Sequence, residues 1–164
     1  MKTKLVVITT FTILTIGILF PSLNPEIQSI PSHLYASTQW PPPLIAKEEE
    51  VSEFFLSYVD RYTKRDIDGF LSLFSSKAIQ NQKDGIEGIK KIYGDFFNKS
   101  KELRYQIEEM RIEIYQNGVE VNARYEVDQM PMKGGEQRAW RGQIRWRLVR
   151  ESGALKILSI DYQQ

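Results

Sequence analysis

Apolar residues recur every three or four positions from Val51 to Tyr62. Val51, Phe54, Phe55, Tyr58, Val59 and Tyr62 form one stripe, which predicts an amphipathic helix. Glu48, Glu49, Glu50 and Glu53 crowd its first turn, where the helix dipole favours negative charge, and read as a cap and solvated face rather than a cation site. A sharp break follows at Asp66–Gly69. Asp66 can cap a second short helix that presents Ile67, Phe70, Leu71, Leu73 and Phe74. Asp84-Gly85-Ile86-Glu87 has the form of a capping box and opens a third helix, with Ile86, Ile89, Ile92, Tyr93, Phe96 and Phe97 on its apolar face. Gly88 and Gly94 inside that helix each cost up to about 1 kcal/mol against alanine, so close packing on another element is expected there.

Beyond residue 103 the period changes from 3.6 to 2. Asn117-Gly118, Gly134-Gly135 and Ser152-Gly153 are turn signals that separate four alternating runs, 104–116, 119–132, 137–150 and 154–162. One face collects Met110, Ile112 and Ile114, then Val119, Val121, Ala123, Tyr125 and Val127, then Trp140, Ile144, Trp146 and Leu148, and finally Leu158, Ile160 and Tyr162. The other collects Glu109, Arg111 and Glu113, then Glu120, Asn122, Arg124 and Glu126, then Arg141, Gln143, Arg145 and Arg147. The prediction is an α+β domain in which three N-terminal helices cover one face of a strongly twisted antiparallel meander. The opposite face is a lattice of acidic and basic residues on neighbouring strands.

The first 46 residues lie outside this pattern. Leu5–Phe20 is uncharged and mostly apolar and follows Lys2 and Lys4, which is the arrangement of an export signal. Residues 1–23 therefore read as a signal peptide or as an uncleaved N-terminal membrane anchor. Small residues are poorly placed for cleavage, while the apolar run is short against the roughly 20 residues needed to span. Both readings put the domain outside the cytoplasm, periplasmic or secreted, with a membrane contact through residues 5–20 if the segment is retained. Six of the seven prolines fall in 21–43, so residues 24–46 read as an extended spacer. Trp40-Pro41-Pro42-Pro43 is either part of that tether or a proline-motif ligand. The domain proper is placed at 47–164.

Composition removes several chemistries. The chain has no cysteine and one histidine, His33, which precedes the domain, so Ser-His-Asp catalysis and Cys- or His-based metal sites are excluded there. The whole chain has 22 basic and 21 acidic residues; Lys2, Lys4 and Glu26 precede residue 47, leaving 20 of each in the domain. A neutral domain gives nucleic acid no global attraction. Trp140 and Trp146 alternate with arginines, which puts the rings and the charges on opposite faces, where they cannot jointly grip a strand.

The chain resembles the nuclear transport factor 2-like superfamily, including its SnoaL-like and ketosteroid isomerase-like domains. The resemblance rests on Tyr58, the Arg65-Asp66-Ile67-Asp68-Gly69 break, Leu71, Leu73-Phe74, Gly85 with Gly88-Ile89, and the closing strands Arg145-Trp146-Arg147-Leu148 and Leu155-Lys156-Ile157. It spans about residues 48–164 and implies a cone-shaped, cystatin-like α+β barrel around an apolar pocket. On that basis Tyr58, Gln82, Tyr93, Phe97, Tyr125 and Trp140 are the pocket-lining candidates. Isomerase-like members use a helix-one tyrosine as an oxyanion donor, a carboxylate base after helix two and a protonated Asp on a later strand. Tyr58 matches the tyrosine, but Asn81 or Gln82 stands at the base position and Gln143 near the strand acid, and amides cannot take up a proton at neutral pH. The dehydratase-like His–Asp pair has no histidine to match.

The expectation is therefore an exported or tethered binding or interaction module of the cell envelope, with no catalytic residue and no cofactor or metal. Its partner would be an envelope protein or a small apolar ligand. Two alternatives stand beside it. One is a small-molecule isomerase, dehydratase or cyclase with Tyr58 as acid. The other is a structural homodimer or secretion-assembly component, pairing through a sheet face that includes Glu120, Arg124, Arg141, Arg145 and Arg147.

Overall fold

The computed structural model describes residues 42–163. Three helices, α1 (Glu48–Lys64), α2 (Ile67–Leu71) and α3 (Ile86–Asn98), accompany six strands: β1 (Phe74–Gln80), β2 (Asp84–Gly85), β3 (Ser100–Ile114), β4 (Val119–Pro131), β5 (Arg138–Glu151) and β6 (Ala154–Gln163). The strands form one open, curved sheet in the order β2-β1-β6-β5-β4-β3. The readings of residues 1–41 as signal, anchor and spacer lie outside the described residues. Among the described residues no helix is long and apolar enough to cross a membrane.

The stripe on α1 buries Val51, Phe54, Phe55, Tyr58 and Tyr62 as its spacing requires. Arg65 then turns left-handed (φ 58°), and the Arg65 and Asp66 amides bond back to the carbonyls of Tyr62 and Arg61. The Asp66 carboxylate accepts from the Gly69 amide at 3.0 Å, which starts α2. Ile45 and Ala46, assigned to the spacer, are held to the domain. Ile45 donates to the Tyr115 carbonyl at 2.9 Å and accepts from the Arg150 guanidinium at 2.7 Å.

Several expectations are corrected. Helix two stops at Leu71, and Phe74 opens a strand instead of closing a helix. The 74–85 segment supplies two further strands, and β1 runs parallel to β6, so the sheet is mixed and six-stranded. Phe74, Ser75, Ala78 and Gln80 are buried there, an uneven pattern that period-2 counting does not register. Gly85 caps α3 without a side-chain bond, because Asp84 is drawn into pairing with Gln80. Gly88 does face the Asp84 side chain closely, but nothing lies within 4 Å of a Cβ at Gly94.

Two strand faces also change, both at bulges. In β3 the register slips between Glu108 and Arg111, with Glu109 at φ 52°. Leu103 and Tyr105 consequently point into the core ahead of the slip, while Met110, assigned inside, is 38% exposed. In β6 the partner of Arg147 is Ser159 and that of Leu148 is Ile157, so Leu158 is skipped. Ile157 and Ile160 are both fully buried, and Leu158 is only partly so.

Candidate functional site

A cavity of about 420 Å³ lies between α1, α3 and the inner face of the sheet. The i, i+4 spacing of Tyr58 and Tyr62 on α1 places both rings on its wall. Ile92, Tyr93 and Phe96 come from α3. Tyr105 comes from β3 and Tyr125 and Val127 from β4; β5 contributes Trp140 and Ile144, and β6 contributes Tyr162. Six of the chain's eight tyrosines meet here. Gly142 stands opposite Tyr125 in the β4–β5 register and leaves room for its ring: a Cβ there would lie 3.1 Å from that ring and 1.8 Å from the Gln163 carbonyl oxygen.

The rings support one another edge-on. Tyr58 packs on Tyr105 at 5.5 Å and on Trp146 at 5.8 Å, Tyr62 on Phe97 at 5.1 Å, and Phe96 on Trp140 at 5.6 Å. Burial pushes the phenols of Tyr58, Tyr62, Tyr93 and Tyr105 well above their ordinary range, and Tyr125 moves the same way for the same reason. These hydroxyls are neutral at pH 7. The Tyr105 hydroxyl and the Trp146 indole N–H are sealed from solvent, and both lie beside the Tyr58 hydroxyl without a well-formed hydrogen bond. Among the described residues, the only charged side chains on the cavity wall are Asp95 and Lys99, both exposed and one turn apart on the α3 side.

The sequence candidates divide clearly. Tyr58, Tyr93, Tyr125 and Trp140 line the cavity. Phe97 sits in the core, 3% exposed, and Gln82 lies exposed in the β1–β2 turn, away from the wall. The buried amide of that segment is Gln80, 1% exposed. Tyr62, Tyr105 and Tyr162 were missed as cavity residues. The repeat of tyrosine at 58 and 62 is a usable signal for the first. Tyr105 depends on which face a bulged strand presents, whereas Tyr162 stood on the predicted inner face and was not singled out.

The outer face of the sheet carries the expected ion pairs. Arg124 reaches Glu109 at 3.0 Å and Glu108 at 3.6 Å; Arg145 reaches Asp161 at 3.6 Å and Glu120 at 4.0 Å; Arg147 reaches Glu120 at 3.7 Å, and Arg141 pairs with Glu126. All are at least partly exposed, so solvent screening leaves each of them weak. Their main effect is to occupy the arginines with neighbouring carboxylates.

No family model matches the chain, and no curated protein is similar to it in sequence. Solved structures are similar in fold. A nuclear transport factor 2-like superfamily protein from Salmonella enterica serovar Typhimurium is 17% identical over 70% of this chain and 88% of its own, with a TM-score of 0.62. The protein Aln2 from a Streptomyces species is 21% identical over 73% of this chain and 93% of its own, with a TM-score of 0.62. A candidate scytalone dehydratase from Novosphingobium aromaticivorans is 12% identical over 70% and 81%, with a TM-score of 0.64.

Proposed function

We propose that this chain, which has the nuclear transport factor 2-like fold, is a binding module for a small, flat, largely apolar ligand. The observation that carries the reading is the wall of the 420 Å³ cavity: aromatic and aliphatic side chains inside, one carboxylate and one ammonium outside. That volume falls within the range of small-molecule sites, about 300–1,000 Å³. Aromatic rings held by other rings lose little freedom when a planar ligand stacks among them.

Proton-transfer chemistry fits the wall less well. A general base must reach the proton it removes, and among the described residues the one carboxylate on the wall is Asp95 at the exposed side. Tyr58 can donate a hydrogen bond, and the isomerase or dehydratase reading rests on it alone. Turnover of a cyclic carbonyl compound that disappears in Tyr58→Phe would replace the binding-module reading.

The binding reading is tested with 1-anilinonaphthalene-8-sulfonate, whose fluorescence rises in apolar surroundings. Saturable binding of one dye per folded chain is expected. Val127→Trp, which fills the cavity from β4, is expected to weaken it at least tenfold while the variant still unfolds cooperatively. Equal binding by both proteins would place the dye elsewhere and remove the reading.

The module is further proposed to act outside the cytoplasm. Lys2, Lys4 and the apolar run Leu5–Phe20 support this. Residues 1–46 fused ahead of a phosphatase that is active only after export are expected to give active enzyme. Activity confined to a control carrying a known signal would reject it.

A further inference from the structure

The outer face of the sheet is not flat. A hollow of about 460 Å³ opens in it, among the charged and amide side chains that point away from the helices. Two local features make room for it. The bulge at Glu109 (φ 52°) turns β3 at the edge of the hollow. Asn122, half-buried at its centre, is shorter than the arginines on either side.

Strand register sets which groups meet there. Arg111 on β3 faces Asn122 on β4, Asn122 faces Arg145 on β5, and Arg145 faces Asp161 on β6. In the next row Arg124 faces Gln143, and Gln143 faces Gln163. All of these line the hollow. Neighbouring strands lie about 4.8 Å apart, so the Arg111 and Arg145 backbones are separated by about 10 Å, with Asn122 between them. Two planar guanidiniums so placed can close on one small oxyanion above the Asn122 amide.

The arginines are not equally occupied. Arg124 holds Glu109 at 3.0 Å. Arg145 stands 3.6 Å from Asp161 and 4.0 Å from Glu120, well beyond the roughly 2.8 Å of a charge-assisted hydrogen bond. Among the described residues Arg111 pairs with no carboxylate. The wall of the hollow thus carries three guanidiniums against the carboxylates of Glu109 and Asp161, an excess of one positive charge. The amides of Asn122, Gln143 and Gln163 are neutral, and each can both donate and accept.

We propose that this hollow is a second ligand site, for a hydroxylated carboxylate of the uronic acid class. Arg111 and Arg145 take the carboxylate across Asn122, and Gln143 and Gln163 take ring hydroxyls. A single negative charge matches the excess on the wall. A phosphate monoester brings nearly two, and Glu109 and Asp161 oppose the second. The volume lies within the range of small-molecule sites, about 300–1,000 Å³. This site stands whether or not the aromatic cavity binds a ligand.

The test titrates the chain with D-glucuronate, D-glucose and D-glucose 6-phosphate, followed by the side-chain N–H resonances of arginine, asparagine and glutamine. Glucuronate is expected to shift Arg111, Arg145 and Asn122 saturably. It should bind about tenfold more tightly than glucose, the worth of one charge-assisted contact, and about threefold more tightly than the sugar phosphate. Arg111→Gln is expected to weaken glucuronate about tenfold and to leave glucose unchanged. Arg104→Gln removes the same charge from the same strand outside the hollow, and should leave all three unchanged. Val127→Trp, on the other face, should bind glucuronate as wild type does, so the fate of the aromatic cavity is read separately. Equal losses in the two arginine variants would mean attraction by general charge and overturn the site. Equal binding of glucose and glucuronate, or saturation by neither, overturns it as well. Tighter binding of the sugar phosphate overturns the choice of a carboxylate.

Discussion

Above pH 10 the protein is expected to unfold in one steep transition, with tyrosinate absorbance at 295 nm rising in step with the loss of secondary structure. Tyr58, Tyr62, Tyr93 and Tyr105 all have pKa values raised by burial. In the unfolded chain they ionise near pH 10. Their contribution to stability is therefore fully present below that value. It is lost as pH rises above it, because the unfolded state then binds fewer protons than the folded state. Each such group lowers the unfolding free energy by up to about 1.4 kcal/mol per pH unit, so four together give up to about 5.6 kcal/mol per unit. A domain with a typical 5–15 kcal/mol of stability cannot survive more than about one to three units of this. Parallel titrations by absorbance and circular dichroism check it. Four buried phenols ionising near pH 10 with the dichroism unchanged would mean that the cluster is open to water.

Trp146→Ala is expected to cost about 3–5 kcal/mol, measured by urea unfolding. Trp146 is fully buried where α1 meets the sheet, edge-on to Phe55 at 4.8 Å and to Tyr58 at 5.8 Å. Its removal would leave a cavity against two rings that have little freedom to collapse into it. Trp146→Phe should cost much less than alanine. It retains an aromatic ring and removes the indole N–H, which has no partner in the folded state. If phenylalanine and alanine proved equally damaging, the indole N–H would have to be bonded after all, to the Tyr58 hydroxyl beside it. If alanine cost less than about 1 kcal/mol, the junction between helix and sheet would be loosely packed.

The two variants also separate stability from binding. Trp146 lies behind Tyr58 and not on the cavity wall, whereas Val127 lies on it. Loss of dye binding in Val127→Trp with cooperative unfolding kept, alongside loss of folding in Trp146→Ala, is the expected contrast.

The helical part of the fold was legible because its periodicity is long. Six apolar positions on one stripe fix the inward face of α1 whatever else happens, and the left-handed break at Arg65 with the Asp66 cap is a local matter. The strands were legible as strands, and the three turn signals were placed correctly between them. Their faces were less so. With a period of two, one extra residue reverses every assignment on its side of the bulge, and neither Glu109 nor Leu158 announces a bulge by its residue type. For that reason Tyr105 was not recognised as a cavity residue. Strand β1 was missed for a different reason. Phe-Ser-Ser-Lys-Ala-Ile-Gln is too polar to read as a buried strand, and its pairing with β6 spans about 80 residues of chain.

Residue type and spacing within single elements were enough to set the helix stripes, the turns, the charged outer sheet face and the absence of thiol or imidazole chemistry from the domain. Folding in three dimensions set what no element contains alone. It gathered six tyrosines from both helices and sheet into one wall, put Gln82 in solvent and Gln80 behind Tyr162, and moved two strand faces by one residue each. The physical reason is that a cavity is defined by what the elements fail to fill between them. That depends on register and on packing across long sequence separations, which local patterns of apolar and polar residues do not encode.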